Sequence, residues 1–148
     1  MGTRGWVSCG PMAVAGCLMF AAAGPATAQA TDSLVVTAQR IARAWQRQDF
    51  GQILSGASAI SVVLPGAERT APLGSAQAAE VLRGFVEGAH EESAEVLVLR
   101  TVSADRAYVE LERVFAPRGS AELRQQTVYL ELRRTGAGFT VAEVRINR

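Results

Sequence analysis

His90-Glu91-Glu92 is the one place in this chain where an imidazole stands beside carboxylates, the groups that ligate a divalent cation or relay a proton. His90 is also the sole histidine. Without a second imidazole or a fixed ligand spacing, the triplet reads as a solvated acidic loop feeding the strand that follows. Trp45 could stack on a ligand, but it falls on the apolar stripe of a helix, where a tryptophan ordinarily packs into a core. Both thiols, Cys9 and Cys17, lie in the first thirty residues and leave with them if that segment is removed. Neither a disulfide framework nor thiol catalysis is then expected. These residues predict no catalytic constellation, no metal site and no cofactor.

The elements that would position any site follow from the apolar periodicity. Ser33 reads as the cap of a first helix, with Leu34, Ala38, Ile41, Ala42 and Trp45 on one face and Arg40, Arg43 and Arg47 on the other. That helix runs to about Gln48 and breaks at Asp49-Phe50-Gly51, with a further helical turn at Gln52-Ile53-Leu54. Ile60 to Leu64 is a short strand stopped by Pro65-Gly66, and Glu68 to Ala71 reads as its short return strand. Gly74-Ser75 opens a second helix, with Ser75 as its cap and Ala78, Val81, Leu82, Phe85 and Val86 as its stripe; Gly88 ends it.

Four alternating runs follow, and their ends fit one antiparallel sheet. Glu95 to Val102 is apolar on both parities, as in a strand covered on both sides. Ala107, Val109 and Leu111 alternate with Tyr108, Glu110 and Glu112. Val128, Leu130 and Leu132 alternate with Thr127, Tyr129, Glu131 and Arg133. Ala142, Val144 and Ile146 oppose Glu143 and Arg145, after a tight Gly136-Ala137-Gly138 turn. One sheet face is therefore apolar and takes the helices. The other is charged and can sit in water as cross-strand ion pairs, or serve as a dimer face anchored by Tyr108, Tyr129, Glu131 and Arg133.

Arg4, the apolar run Met12 to Ala23 and the small residues after Pro25 read as a cleaved secretory signal over residues 1–30, cut after Ala28 or Ala30. The run is shorter than the ~20 residues a membrane span needs. Val14-Ala15-Gly16-Cys17 also resembles a lipobox, the alternative being a lipoprotein anchored at Cys17. The expected location is periplasmic or secreted, and residues 31–148 form one domain that buries ~65% of its unfolded surface. All fifteen basic residues are arginine; without Arg4, fourteen face fourteen acidic ones, interspersed, which gives no electrostatic footprint for nucleic acid.

The order helix, short strand, helix, long-stranded sheet is similar to the nuclear transport factor 2-like, or cystatin-like, α+β cone. The local text agrees in Trp45-Gln46-Arg47-Gln48-Asp49-Phe50, Val62-Val63-Leu64-Pro65-Gly66, Gly74-Ser75-Ala76-Gln77-Ala78 and the run Gly138 to Ile146. It resembles in particular a family of small exported bacterial proteins of unknown function. The resemblance implies a curved antiparallel sheet with two or three helices on its concave face, enclosing a pocket lined here by Trp45, Leu64, Phe85, Val128 and Leu130. Ketosteroid isomerase-like members place an acid immediately before a proline at a strand end. This chain has Leu64 before Pro65, and leucine has no proton to exchange. The expectation is a non-catalytic exported domain that binds a small apolar ligand or a protein partner through the cone or the sheet face, with no proton-transfer group inside. The alternatives are a small isomerase-like enzyme and a homodimeric assembly module.

Overall fold

The computed structural model describes residues 26–136 and 138–147. Helix α1 (Ala26–Gln46), helix α2 (Phe50–Ile53) and strand β1 (Ser61–Val63) precede helix α3 (Ser75–Val86). The sheet then forms from β2 (Ala89–Thr101), β3 (Arg106–Pro117), β4 (Arg124–Thr135) and β5 (Gly138–Ile146). Its order is β1-β5-β4-β3-β2, with β2 to β5 antiparallel and β1 parallel to β5. The wholly antiparallel sheet expected from sequence is thus a mixed one, because the chain crosses from β1 through α3 before the four long strands begin. Among the described residues the architecture is α+β, an open sheet with three helices.

Helix α1 presents the stripe that its spacing predicts: Leu34, Ala38, Ile41, Ala42 and Trp45 are buried, while Arg40, Arg43 and Arg47 are exposed. It starts earlier than Ser33, which lies inside it and accepts a hydrogen bond from Thr37 Oγ1 through its carbonyl (2.8 Å) rather than capping. It also ends before Gln48, which adopts a left-handed φ of 55° while Asp49 N–H returns to Ala44 O at 2.8 Å. Asp49 is the cap of α2, its carboxylate accepting from Gln52 N–H at 3.0 Å. The leader expected over residues 1–30 lies outside the described residues as far as Pro25, with both cysteines. From Ala26 the chain is helical, so the two expected cleavage points fall within α1.

Three further expectations are corrected. Glu68 to Ala71 is no strand; Thr70 hydrogen-bonds Val62, and the one bridge, Ile60 with Leu73, lies just outside that segment. Ser75 is the first residue of α3, and Gly74 caps it. On β5, Ala142 sits in an irregularity that pairs Leu132 with Val141 and Glu131 with Glu143. The extra residue switches the side-chain parity, so the buried residues are Phe139 and Val141 before it and Val144 and Ile146 after it. The middle of the expected glycine turn, Ala137, lies outside the described residues.

Strand β2 also departs from expectation. It is an edge strand and begins at Ala89, not Glu95, and a bulge between Val96 and Val98 turns Leu97 outward, 53% exposed. It is therefore not covered on both sides. The bulge has a use at an edge, where a long flat strand would otherwise invite pairing with another chain. The apolar face of β3, β4 and β5 carries the core: Val109, Leu111, Val128, Leu130, Leu132, Val144 and Ile146 are at or near zero exposure under α1 and α3.

Candidate functional site

The residues expected to line a cone pocket are brought together, but as packing. Trp45, Val128 and Leu130 have no exposure and belong to one buried cluster, with Leu64 and Phe85 half-buried against it. Trp45 meets Phe50 edge-to-face, ring centres 5.3 Å apart.

On the opposite, open face of the sheet the strand register does what the alternation predicts. Tyr108, Glu131 and Glu143 form one cross-strand row; Glu110, Tyr129 and Arg145 form the next. Tyr108, Tyr129, Glu131 and Arg133 together line a cleft of about 550 Å³. Arg106, Glu143, Arg145 and Asn147 complete its floor and walls, and Arg69 reaches in from the loop after β1. Sequence reasoning had Glu143 and Arg145 on the charged face but missed Arg69, Arg106 and Asn147.

Two carboxylates side by side would repel each other, and the cleft answers this with four guanidinium groups. Arg106 Nε and Arg133 Nε each lie 3.3 Å from Glu131 Oε1. Arg69 and Arg145 each reach Glu143 at 2.9 Å. Arg106 Nη2 donates to Tyr108 Oη (3.0 Å), whose hydroxyl donates on to Glu131 (3.3 Å). Glu131 holds Arg106 more firmly protonated than usual, helped by Tyr108. In the turn before β3, hydrogen bonding from Ser103 keeps the Asp105 carboxyl below its ordinary range, and the charges of Arg106 and Arg133 add to this. The glutamates are sunk, 13% exposed, beneath arginine heads that are 42–64% exposed. An approaching molecule therefore meets cations first.

A second polar group lies inside the fold. The predicted acidic loop is the start of β2, whose alternation splits the triplet: His90 and Glu92 point out to solvent, and Glu91 points in with its side chain 1% exposed. Its partner is Arg113, which continues the inward parity of Ala107, Val109 and Leu111 and is equally buried. Arg113 grips both carboxylate oxygens through Nε (3.2 Å) and Nη2, and gives Nη1 to Gln126 (3.2 Å). Its guanidinium lies 4.1 Å from the Phe115 ring centre and 5.8 Å from that of Phe85. Burial pushes the Glu91 carboxyl up and the Arg113 guanidinium down, each opposed by its partner's charge. The solvated acidic loop and the interior without ionisable groups are both corrected by this pair. Extending the β3 alternation by one more step would have found Arg113. Among the described residues no three histidine, cysteine or acidic side chains cluster as metal ligands, and no helix is long and apolar enough to cross a membrane.

A ketosteroid isomerase-like protein from Erwinia carotovora atroseptica is 18% identical, the match covering 78% of this chain and 93% of that one, with a TM-score of 0.61. A nuclear transport factor 2-like protein of unknown function from Shewanella oneidensis is 10% identical over 80% of this chain and 98% of its own, with a TM-score of 0.58. The fold is nuclear transport factor 2-like. A domain of unknown function with a cystatin-like fold from Nostoc punctiforme agrees, at 16% identity, 80% and 76% coverage and a TM-score of 0.58. Identities this low carry the fold alone. No family model matches the chain, and no curated protein does.

Proposed function

We propose that this chain is an exported, non-catalytic binding module, a single domain over residues 31–148 behind a cleaved leader, and that it works through the open face of its sheet. The observation that carries the reading is the cleft lined by Tyr108, Tyr129 and four arginines, since Tyr and Arg are enriched among the few residues that dominate binding energy at recognition surfaces. The helix-covered face is less suited to an apolar ligand, because Trp45, Val128 and Leu130 already fill it. A non-catalytic role is supported by the state of the carboxylates. Glu131 and Glu143 are each engaged by two arginines and Glu91 is gripped on both oxygens by Arg113, so each carboxylate is taken up by ion pairs within the chain. Leu64 occupies the position before Pro65 where the isomerase-like pattern has an acid.

Native mass spectrometry of the protein isolated from its own compartment tests this. A bound species should be present in the wild type and absent from an Arg133→Glu/Arg145→Glu variant. An apolar molecule that survives that double substitution would place binding in the cone and defeat the reading.

A second copy of the chain is the other occupant favoured by a specific observation. Glu95 and Glu112 stand directly opposite each other on β2 and β3, with Glu110 beside them, and among the described residues none has an ion-pair partner. The arginines of the cleft stand on β3, β4 and β5 and in the loop after β1. A twofold axis in the plane of the face would lay one copy's acidic corner on the other's basic one, with the tyrosines between. Tyr129→Asp should then raise the dimer dissociation constant tenfold or more, the effect of losing ~1.4 kcal/mol, read by sedimentation equilibrium. A wild type that stays monomeric at every concentration removes this second reading.

A further inference from the structure

We infer that the open-face cleft binds a small dianion, a dicarboxylate or a phosphomonoester, an inference that rests on the open face being the binding surface. The charge count comes first. Four guanidinium groups face two carboxylates inside one cleft, leaving an excess of two positive charges at a site where one unit is already firmly held, on Arg106 beside Glu131. A monoanion would cancel half of that excess, and a dianion cancels it.

Donor geometry comes second. A guanidinium carries five N–H groups. Arg133 spends Nε on Glu131, and Arg145 and Arg69 each spend Nη2 on Glu143. Each therefore keeps a further edge of donors, and the arginine heads are about half exposed above the sunken carboxylates. Such an edge matches the paired oxygens of a carboxylate or phosphoryl group. The glutamates hold the arginines in place from below, which lowers the conformational entropy lost when a ligand is bound.

Size and walls come third. About 550 Å³ is within the range of small-molecule sites and too small for a folded partner to enter. Tyr129 stands one cross-strand row from Tyr108, so both rings line the cleft beside the arginines and offer apolar surface to the short carbon body that joins two acidic groups. A dianion fits all three features.

Isothermal titration of the purified protein at low ionic strength, with succinate and inorganic phosphate as dianions and acetate as the monoanion, tests this. At least one dianion should bind tenfold or more tightly than acetate, with affinity falling as sodium chloride rises. The preferred dianion identifies the source as a dicarboxylate or a phosphoryl compound. Arg145→Gln should weaken it about tenfold, and Tyr108→Phe, which keeps the ring and loses the hydroxyl bridge, by less; thermal melts of both variants report whether they fold. Equal affinity for succinate, phosphate and acetate, or unchanged dianion binding in Arg145→Gln, overturns the inference. So does a dimer that admits succinate only after Tyr129→Asp, since the second copy is then the occupant. If no dianion binds while the species seen by native mass spectrometry is still lost from Arg133→Glu/Arg145→Glu, the ligand class is wrong and the open-face reading stands.

Discussion

Arg113→Met should lower stability by ~3–5 kcal/mol, because it leaves the Glu91 carboxylate buried without its partner. Glu91→Leu alone should cost a similar amount for the mirror reason. The double variant Glu91→Leu/Arg113→Met should recover nearly all of this and match or exceed the wild type by ~1–4 kcal/mol, since two desolvation penalties disappear together. Methionine also retains a contact with the Phe115 and Phe85 rings that flank the guanidinium. The pair adds a pH signature. Burial raises the folded-state carboxyl above its ordinary value of 4.5, so between that value and the raised one the folded chain binds more protons than the unfolded chain. Stability contributed by this group therefore falls as pH rises through the window and returns on acidification. Urea melts across that range should show the wild type gaining on the double variant as pH drops. Single and double variants that simply add, each costing under about 1 kcal/mol, would mean that the two side chains are solvated and unpaired.

The same pair shows where sequence reading stops. The stripe on α1 and the Val128, Leu130, Leu132 alternation were legible because each is local: residues three and four apart, or two apart, share a face whatever the rest of the chain does. Tyr108, Tyr129, Glu131 and Arg133 followed from that alternation and do meet in one cleft. Arg69 could not follow, since its approach to Glu143, 74 residues away, is set by the parallel pairing of β1 with β5. The single-residue insertion at Ala142 reverses parity on β5 and leaves no mark in composition. The burial of Glu91 is hidden for another reason. An acidic triplet looks solvated, and only a distant arginine on the same face makes its burial affordable.

Trp45→Ala should cost ~3–5 kcal/mol, the usual loss for deleting a fully buried large aromatic. The residue closes the end of α1 against Phe50, and the cavity left there would sit where the chain reverses at Gln48 and Asp49. Trp45→Phe should be far milder. The indole Nε1 is buried with no acceptor among the described residues, a desolvated donor that costs ~1–3 kcal/mol to hold, and phenylalanine removes that donor along with part of the ring. The two terms oppose each other, so a loss below ~1.5 kcal/mol is expected by denaturant titration. The comparison also bears on function. If Trp45→Phe proves as damaging as Trp45→Ala in protein isolated from its own compartment, yet mild in refolded protein, then Nε1 has an acceptor that refolding removes. Such an acceptor would be a ligand in the interior, and the binding site would move from the open face of the sheet to the helix-covered one.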